Sequence, residues 1–450
     1  MYIKKLEIEN IRSIKKLAWE VEEKNCPGWH VFLGENGTGK TTVVRCFSIM
    51  VMDRDTISAM RQDWNRWQSN AFLDSKSSAA ILIDDEYDDI RIDKSVNLGK
   101  YRSNAKFYNK SNLKSEFKLV YDEDRNISEI QIRIVGDVDV EIENENSRME
   151  YYRHGFVSYK GMFCCAYGPF RRFEGGEVSI EKQSSLFRKN EQYLTAFGEK
   201  YSLYESLSWL RELKFKELES GVDSEESKIL LKIINFINQN DFLPSDIKIE
   251  SVSSEGIKLI DKNTNNLNIE DLSDGYRSIL SLAIDIVRHI NKNFRDQEIF
   301  YEDNGMKIIS KGVILIDEVD AHLHPTWQKK IGFWFRRAFP NMQFIVTTHS
   351  PLVCQAAAMG GSVYKLPAPG SDEEGRMLER VELNKILYGD ILDAYDTPAF
   401  GLPDTRSELG EDMIEELAQL NRKERKTPLT PEEKERQAEL RATFPALANE

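Results

Sequence analysis

The chain has 450 residues, enough for one large or two ordinary domains with a sizeable buried core. Its 61 Lys and Arg against 75 Asp and Glu leave a formal net charge of -14. That balance excludes a surface that coats nucleic acid or anionic membrane throughout, while leaving room for a local basic patch. The five cysteines (Cys26, Cys46, Cys164, Cys165, Cys354) form no Cys-x-x-Cys pair, so neither a zinc knuckle nor a disulfide framework is suggested. No signal peptide opens the chain and no run of about 18 apolar residues is present, so a cytoplasmic protein with no membrane partner is expected.

In chain order, apolar residues alternate at Tyr2, Leu6 and Ile8 and again at Leu17, Trp19 and Val21, on either side of Asn10 to Ser13. This pattern predicts two strands leading into the next motif. His30 to Leu33 reads as a short buried strand, and Thr42 to Phe47 as the start of a helix. Between them, Gly34 to Thr42 (GENGTGKTT) matches G-x-x-x-x-G-K-[ST] without a mismatch. Such a loop turns its backbone N–H groups towards phosphate oxygens, with Gly37 and Gly39 keeping side chains out of the way. Asn36, Gly37, Gly39, Lys40, Thr41 and Thr42 are the candidate nucleotide contacts. Lys40 would reach the β- and γ-phosphates, and the Thr41 hydroxyl would ligate Mg²⁺. With a strand before and a helix after, the motif implies binding of a nucleoside triphosphate.

Arg61 to Trp67 sets Trp64 and Trp67 among Arg and Gln residues, and a β-rich stretch follows. Its clearest piece is Ile130, Ile132 and Ile134, a Gly136-Asp137 turn, then Val138, Val140 and Ile142, which predicts a hairpin. The segment from Lys94 to Lys114 mixes Lys100, Arg102, Lys106, Lys110 and Lys114 with Tyr101, Phe107 and Tyr108. Such a mixture suits single-stranded or distorted DNA or RNA, but a solvated loop tethered by its aromatics is the favoured reading. Ala166 to Arg172 reads as a strand end turning into a loop that can return Arg171 or Arg172 towards the nucleotide. Ser184 to Glu219 reads as helical, with Leu203, Leu207, Leu210 and Leu213 on one face, and Ser224 as the N-cap of a second amphipathic helix. These stripes are core or subunit contacts.

Ile247 to Ile249 and Ile257 to Ile260 predict strands that lead to Leu272 to Ser278, just before a helix carrying Ile279, Leu282, Ala283, Ile286, Val287 and Ile290. Ser273 and Gly275 there are either an ordinary N-cap or a second place to grip phosphate. Val313 to Ile316 is an apolar strand ending in Asp317 and Glu318. A rigid strand aimed at the nucleotide is what a Mg²⁺-holding Asp317 requires, and Glu318 beside it can polarise an attacking water. Gln343 to Ser350 is another buried strand, which delivers His349 at its C-terminal edge. His322-x-His324 has no further ligand cluster beside it in the sequence, so a zinc site is not expected there.

Taken together, these motifs resemble the ABC-type ATPase heads, in the soluble branch that includes RecF, the SMC proteins and the OLD nucleases. The resemblance covers residues 1 to 365. It implies an α/β P-loop NTPase of the ABC head type, with a β-rich N-terminal lobe and a helical insertion. Gly34 to Thr42 would be Walker A, Leu272 to Ser278 the signature loop, Asp317 and Glu318 Walker B, Asp320 to His322 the D-loop, and His349 the switch histidine. Arg12, in the opening Ile8 to Ser13, would lie near the nucleotide. It further implies ATP with Mg²⁺ as cofactors, Glu318 and His349 as catalytic groups, and a dimer whose second subunit supplies Ser273 and Gly275. One departure is Asp274, which stands where transporter-type signatures carry Gly and adds a carboxylate near phosphate. The Gln loop of the family has no match.

The stretches LSDGYRS, AYGPFRR and ILYGDILDAYDTPAFG further resemble the ATPase subunits of Septu-type and retron-associated anti-phage systems. Those subunits work with a separate HNH nuclease, which would make this chain the ATP-hydrolysing subunit of a defence complex. A RecF-like repair ATPase and a transporter's ATP-binding subunit are the alternatives. Within residues 1 to 365, a β-rich insertion is expected at about 61 to 165 and a helical one at about 184 to 240. Residues 366 to 450 form the expected helical tail, available for partner docking. Thr430-Pro431-Glu432-Glu433 opens a charged helix in that tail. No toprim-like acidic set or His-Asn-His arrangement is found in the sequence, so the nuclease is expected on another chain, beside a homodimer or higher oligomer of this one.

Overall fold

The structure is a computed structural model. It describes residues 2–52, 67, 78–84, 106–109, 113–121, 127–135, 138–141, 163–171, 191–198, 203–239, 242–243, 247–253, 256–294, 297–369, 371, 373–401 and 407–444. Two compact units divide the chain, Met1–Gly389 and Asp390–Glu450.

The first unit opens with β1 (Tyr2–Ile11) and β2 (Ile14–Glu20), an antiparallel pair, as the alternation predicts. β3 (Trp29–Leu33) is buried along its whole length and runs into the phosphate loop and α1 (Lys40–Val51). After β4 (Ser78–Asp84) come β5 (Lys106–Asn109), β6 (Leu113–Tyr121), β7 (Ile127–Val135) and β8 (Val138–Glu141). Strands β2, β1, β4, β6 and β7 form one antiparallel sheet in that order, the β-rich lobe.

The hairpin expected about Gly136-Asp137 is not formed. β7 pairs with β6 (Lys114↔Val135) in the five-stranded sheet, and β8 pairs with β5 (Asn109↔Val138) in a separate two-stranded one. The chain reverses between Tyr121 and Ile127 instead. Period-two alternation identifies a strand but does not choose its partner. Within the expected basic and aromatic segment only 106–109 and 113–114 are described, as strand backbone, and Trp64 and the 136–137 pair lie outside the described residues.

Beyond β9 (Cys164–Tyr167), the helical segment contains α2 (Glu191–Phe197), α3 (Tyr204–Ser220) and α4 (Glu225–Ile237). Leu203, Leu207, Leu210 and Leu213 are all buried, and the Ser224 side chain accepts from the Ser227 N–H as the N-cap of α4. A small antiparallel sheet of β10 (Lys248–Val252), β11 (Ile257–Ile260) and β12 (Asn266–Asn268) leads to α5 (Asp274–Asn293). The pair β13 (Phe300–Glu302) and β14 (Met306–Ile308) precedes β15 (Gly312–Ile316). Then follow α6 (Pro325–Ala338), β16 (Met342–Thr348), α7 (Pro351–Cys354), β17 (Gly361–Lys365), β18 (Arg376–Met377) and α8 (Arg380–Tyr388).

The central sheet has the order β18-β17-β3-β16-β15-β9, parallel except for β18. Its inner strands β3, β15 and β16 are wholly buried, as a sheet covered on both faces demands. One face packs on Trp29, Phe335, Phe339 and Phe344, the other on Trp19, Phe32 and Phe47. The Gln343 side chain ties the two sheets by donating to the Ile3 carbonyl at 2.8 Å and accepting from its N–H at 2.7 Å. This is an α/β fold in which a parallel central sheet feeds a phosphate loop and an antiparallel β-rich lobe packs beside it. Crevices outside the carboxyl ends of such strands are where ligands bind. The sheet continues through β18, past residue 365, where the head was expected to end.

The second unit holds α9 (Ile391–Tyr395), α10 (Glu408–Glu424) and α11 (Pro431–Thr443). Thr430 and Glu433 form a reciprocal capping box at the start of α11. A polar seam joins α10 to α11, with Arg436 donating two bonds to Glu416 at 3.0 and 2.9 Å and Arg441 donating to Asn421 at 2.8 Å.

Candidate functional site

The phosphate loop leaves β3 and enters α1 through Gly37 (φ 82°) and Gly39 (φ 101°). At Gly39 a Cβ would stand 2.8 Å from Ile14 Cγ1 and 3.0 Å from Ser13 Oγ. The β1–β2 turn therefore lies directly on the loop, and no larger residue fits between them. Asn36 is exposed on that loop, and Thr42 is buried in the first turn of α1. Lys40 is buried, with Nζ donating to the Gly34 and Glu35 carbonyls at 2.9 Å each. Burial lowers its pKa, against the opposing pull of Glu318, Asp317, Asp320 and Glu35.

Three chain segments meet at Asp317. The Thr41 hydroxyl donates to its Oδ2 at 2.6 Å, and the Thr347 hydroxyl donates to its Oδ1 at 2.6 Å. The Glu318 N–H donates to Thr347 Oγ1 at 2.8 Å. Strand pairing explains the meeting, because β15 and β16 run parallel in register from Gly312↔Met342 to Ile316↔Val346. Both therefore deliver their next residues to one edge. Glu318 has left-handed backbone (φ 44°), a conformation that non-glycine residues keep only where neighbours impose it. The oxygens of Thr41 and Asp317 are the hard donors that Mg²⁺ takes together with phosphate and water, so the residues fit that ion.

His349 follows β16 and is half-buried. Burial and then the Lys40 ammonium lower its pKa, while Asp320, Glu318 and Asp317 act in the opposite sense. A ring titrating below its ordinary value is neutral at pH 7. Asp320 accepts from the Thr348 hydroxyl at 2.6 Å and from the His349 N–H at 3.4 Å, which fixes the turn that carries His349.

Of the remaining candidates, Arg12 lies in the β1–β2 turn, and Ser273 and Gly275 lie at the start of α5. The Arg12 guanidinium lies 4.7 Å from the centroid of the Trp67 ring, and its backbone N–H donates to the Trp67 carbonyl at 3.0 Å. Ser273 is the exposed N-cap of α5, with no side-chain capping bond. Asp274 pairs with Arg277, so the added carboxylate carries its own counter-charge. Gly275 is buried where a Cβ would come within 2.4 Å of the His322 carbonyl oxygen, which brings the start of α5 against 322–323 of the same chain. His324 caps α6, its ring accepting from the Thr326 N–H at 3.3 Å. Sequence reasoning passed over Thr347 and Thr348. Two hydroxyls closing the otherwise apolar run Phe344-Ile345-Val346 are the signal that marks them.

Two family models match the chain: "AAA ATPase domain" over residues 1–158 and "AAA domain, putative AbiEii toxin, Type IV TA system" over residues 172–355. The Septu protein PtuA of Bacillus thuringiensis is 29% identical over 273 residues, 54% of this chain and 65% of that protein. The chain thus spans just under two thirds of that relative's length. The retron Vc95 probable ATPase of Vibrio cholerae serotype O1 biovar El Tor is 24% identical over 399 residues, 78% of this chain and 71% of that one. Among solved structures, an SMC head bound to the C-terminal winged-helix domain of ScpA gives a TM-score of 0.43 at 15% identity, covering 86% of this chain and all of that one. The chain is similar to the Septu and retron ATPases, as its motifs imply.

Proposed function

We propose that the chain binds ATP with Mg²⁺ on the Gly34–Thr42 loop and hydrolyses it, as the ATPase subunit of an anti-phage defence complex. The observation that carries the reading is the string Thr41–Asp317–Thr347. It brings the phosphate loop, the acidic strand end and the His349 strand to one point at hydrogen-bond distance. Lys40, released from the Gly34 and Glu35 carbonyls, turns its ammonium onto the β- and γ-phosphates. Thr41 and Asp317 would hold Mg²⁺, which would supply positive charge to offset the phosphates. Glu318 accepts a hydrogen bond from the attacking water and aims it in line with the γ-phosphate. Neutral His349 donates a ring N–H to the γ-phosphate.

Likeness to PtuA and a retron ATPase supports the defence setting, with a separate HNH nuclease as partner and DNA or RNA as the candidate trigger. The exposed Ser273, with no capping bond to hold it, supports a homodimer in which it reaches the nucleotide of the other copy.

Glu318→Gln tests the hydrolytic reading. It should bind ATP with wild-type affinity and turn it over at least about 100-fold more slowly, because positioning and electrostatics supply most of phosphoryl-transfer catalysis. Unchanged turnover would sink the assignment. Isolating the tagged chain then tests the setting: a bound nuclease supports it, and recombinational repair proteins in its place overturn it.

A further inference from the structure

We propose that Arg171 is the positioning residue of the hydrolytic site: its guanidinium clamps the backbone on both sides of Glu318 and so aims the Glu318 carboxylate. The inference rests on the reading of Glu318 as the water-orienting group.

Strand β9 pairs in parallel with β15, from Val313↔Cys164 to Ile316↔Tyr167, and the Asp317 N–H extends the ladder by donating to the Tyr167 carbonyl at 2.8 Å. The two chains therefore leave the sheet side by side, and Arg171, four residues on, comes to lie beside Asp317 and Glu318. It is 4% exposed. One terminal nitrogen donates to the Gly168 carbonyl at 2.7 Å and the Asp317 carbonyl at 2.6 Å, and the other donates to the Glu318 carbonyl at 2.9 Å. The fork thus grips the carbonyls of two successive peptides, those on either side of the Glu318 Cα.

Thr347 holds the other polar groups of the same peptides. Its hydroxyl accepts from the Glu318 N–H, and its carbonyl accepts from the Val319 N–H at 3.0 Å. Between these two clamps Glu318 keeps its positive φ. An unstrained backbone would rotate the side chain away from its present direction. Burial pulls the Arg171 pKa down to about 10, so the group stays charged at neutral pH. Lysine cannot substitute, since one ammonium is a point donor and does not span two carbonyls in a fixed fork. The expectation that Arg171 reaches the nucleotide is thereby corrected: its donors face carbonyls of the acidic strand end.

The test compares Arg171→Lys, Arg171→Met and Glu318→Gln, each alone, and Arg171→Lys combined with Glu318→Gln. Each is measured for ATP affinity, turnover and melting temperature. Arg171→Lys should lower kcat about tenfold and Arg171→Met about 100-fold, with ATP affinity held within about twofold. Adding Arg171→Lys to Glu318→Gln should cost no further turnover, because both act through one carboxylate. Should the Met variant not fold, the Lys variant and the double mutant decide. Wild-type kcat in Arg171→Lys overturns the inference, as does a loss of kcat that tracks affinity and melting temperature or adds in full to that of Glu318→Gln. If Glu318→Gln itself is fully active, the underlying site reading falls, which is a separate outcome.

Discussion

Single residues of the core are tuned as sharply as those of the site. His30, on β3 four residues before Gly34 of the phosphate loop, is completely buried. Its Nε2 lies 3.0 Å from the Cys26 carbonyl and its Nδ1 lies 2.9 Å from Ser362 Oγ. The carbonyl can only accept, so Nε2 carries the proton and Nδ1 accepts from the serine, which in turn accepts from Trp19 Nε1 at 3.2 Å. Burial, against the opposing hydrogen bond to Cys26, pushes the His30 pKa down from 6.5 to about 4. Protonation below pH 6.5 therefore favours the unfolded chain. The stabilisation is complete above pH 6.5 and is lost as pH falls towards 4, by up to about 3 kcal/mol. Urea unfolding from pH 4 to 8 should show this slope in the wild type and a flatter one in His30→Gln. Equal slopes in the two proteins would rule His30 out as the titrating group.

At the scale of elements, the start of α5 separates two roles that one tripeptide combines. Gly275 is constrained within its own chain, because a Cβ there meets the His322 carbonyl, and backbone cannot retreat as a flexible side chain can. Ser273 is exposed and makes no capping bond. Gly275→Ala should therefore lower the melting temperature by a few degrees, the effect of about 3 kcal/mol in a unit of this size. Ser273→Ala should leave it unchanged while reducing ATP turnover. The reverse pattern would mean that Ser273 stabilises α5 and has no part in the site. Pairing of the β-rich lobe teaches the same lesson. The Ile130-Ile132-Ile134 alternation marks β7 correctly, yet its partner β6 was legible only from the ladder.

For the whole molecule, the phosphate loop of the proposed site would grip one side of the triphosphate and leave the γ-phosphate side open, which a second copy would close. Two chains related by a two-fold axis would each present Ser273 to the other's nucleotide, as an isologous contact requires. Lys40→Ala disables the loop half of a site, and Ser273→Arg obstructs the closing half. Each homodimer should be inactive, whereas mixed dimers rebuild one site from two intact halves. Mixing equal amounts should recover about a quarter of wild-type turnover, since half the dimers are mixed and each has one good site. If mixed dimers form and single-turnover assays detect no hydrolysis, the shared site is wrong.

The sequence by itself determined the phosphate loop, the acidic end of β15, the histidine after β16, the cap at Ser224 and the capping box at Thr430. Each is a local pattern whose chemistry depends on spacing along a few residues. It also determined the α/β class, because wholly apolar runs such as Val313 to Ile316 and Phe344 to Val346 belong in a sheet covered on both faces. Tertiary structure alone decided which strands pair, that Arg12 lies over Trp67, that Asp274 is neutralised by Arg277, and that Gly275 meets His322. It alone brought Arg171 beneath Glu318, 147 residues away in sequence. Nothing in either local segment encodes that contact. It follows from the parallel register of β9 and β15, which depends on how whole strands fit together in a packed sheet.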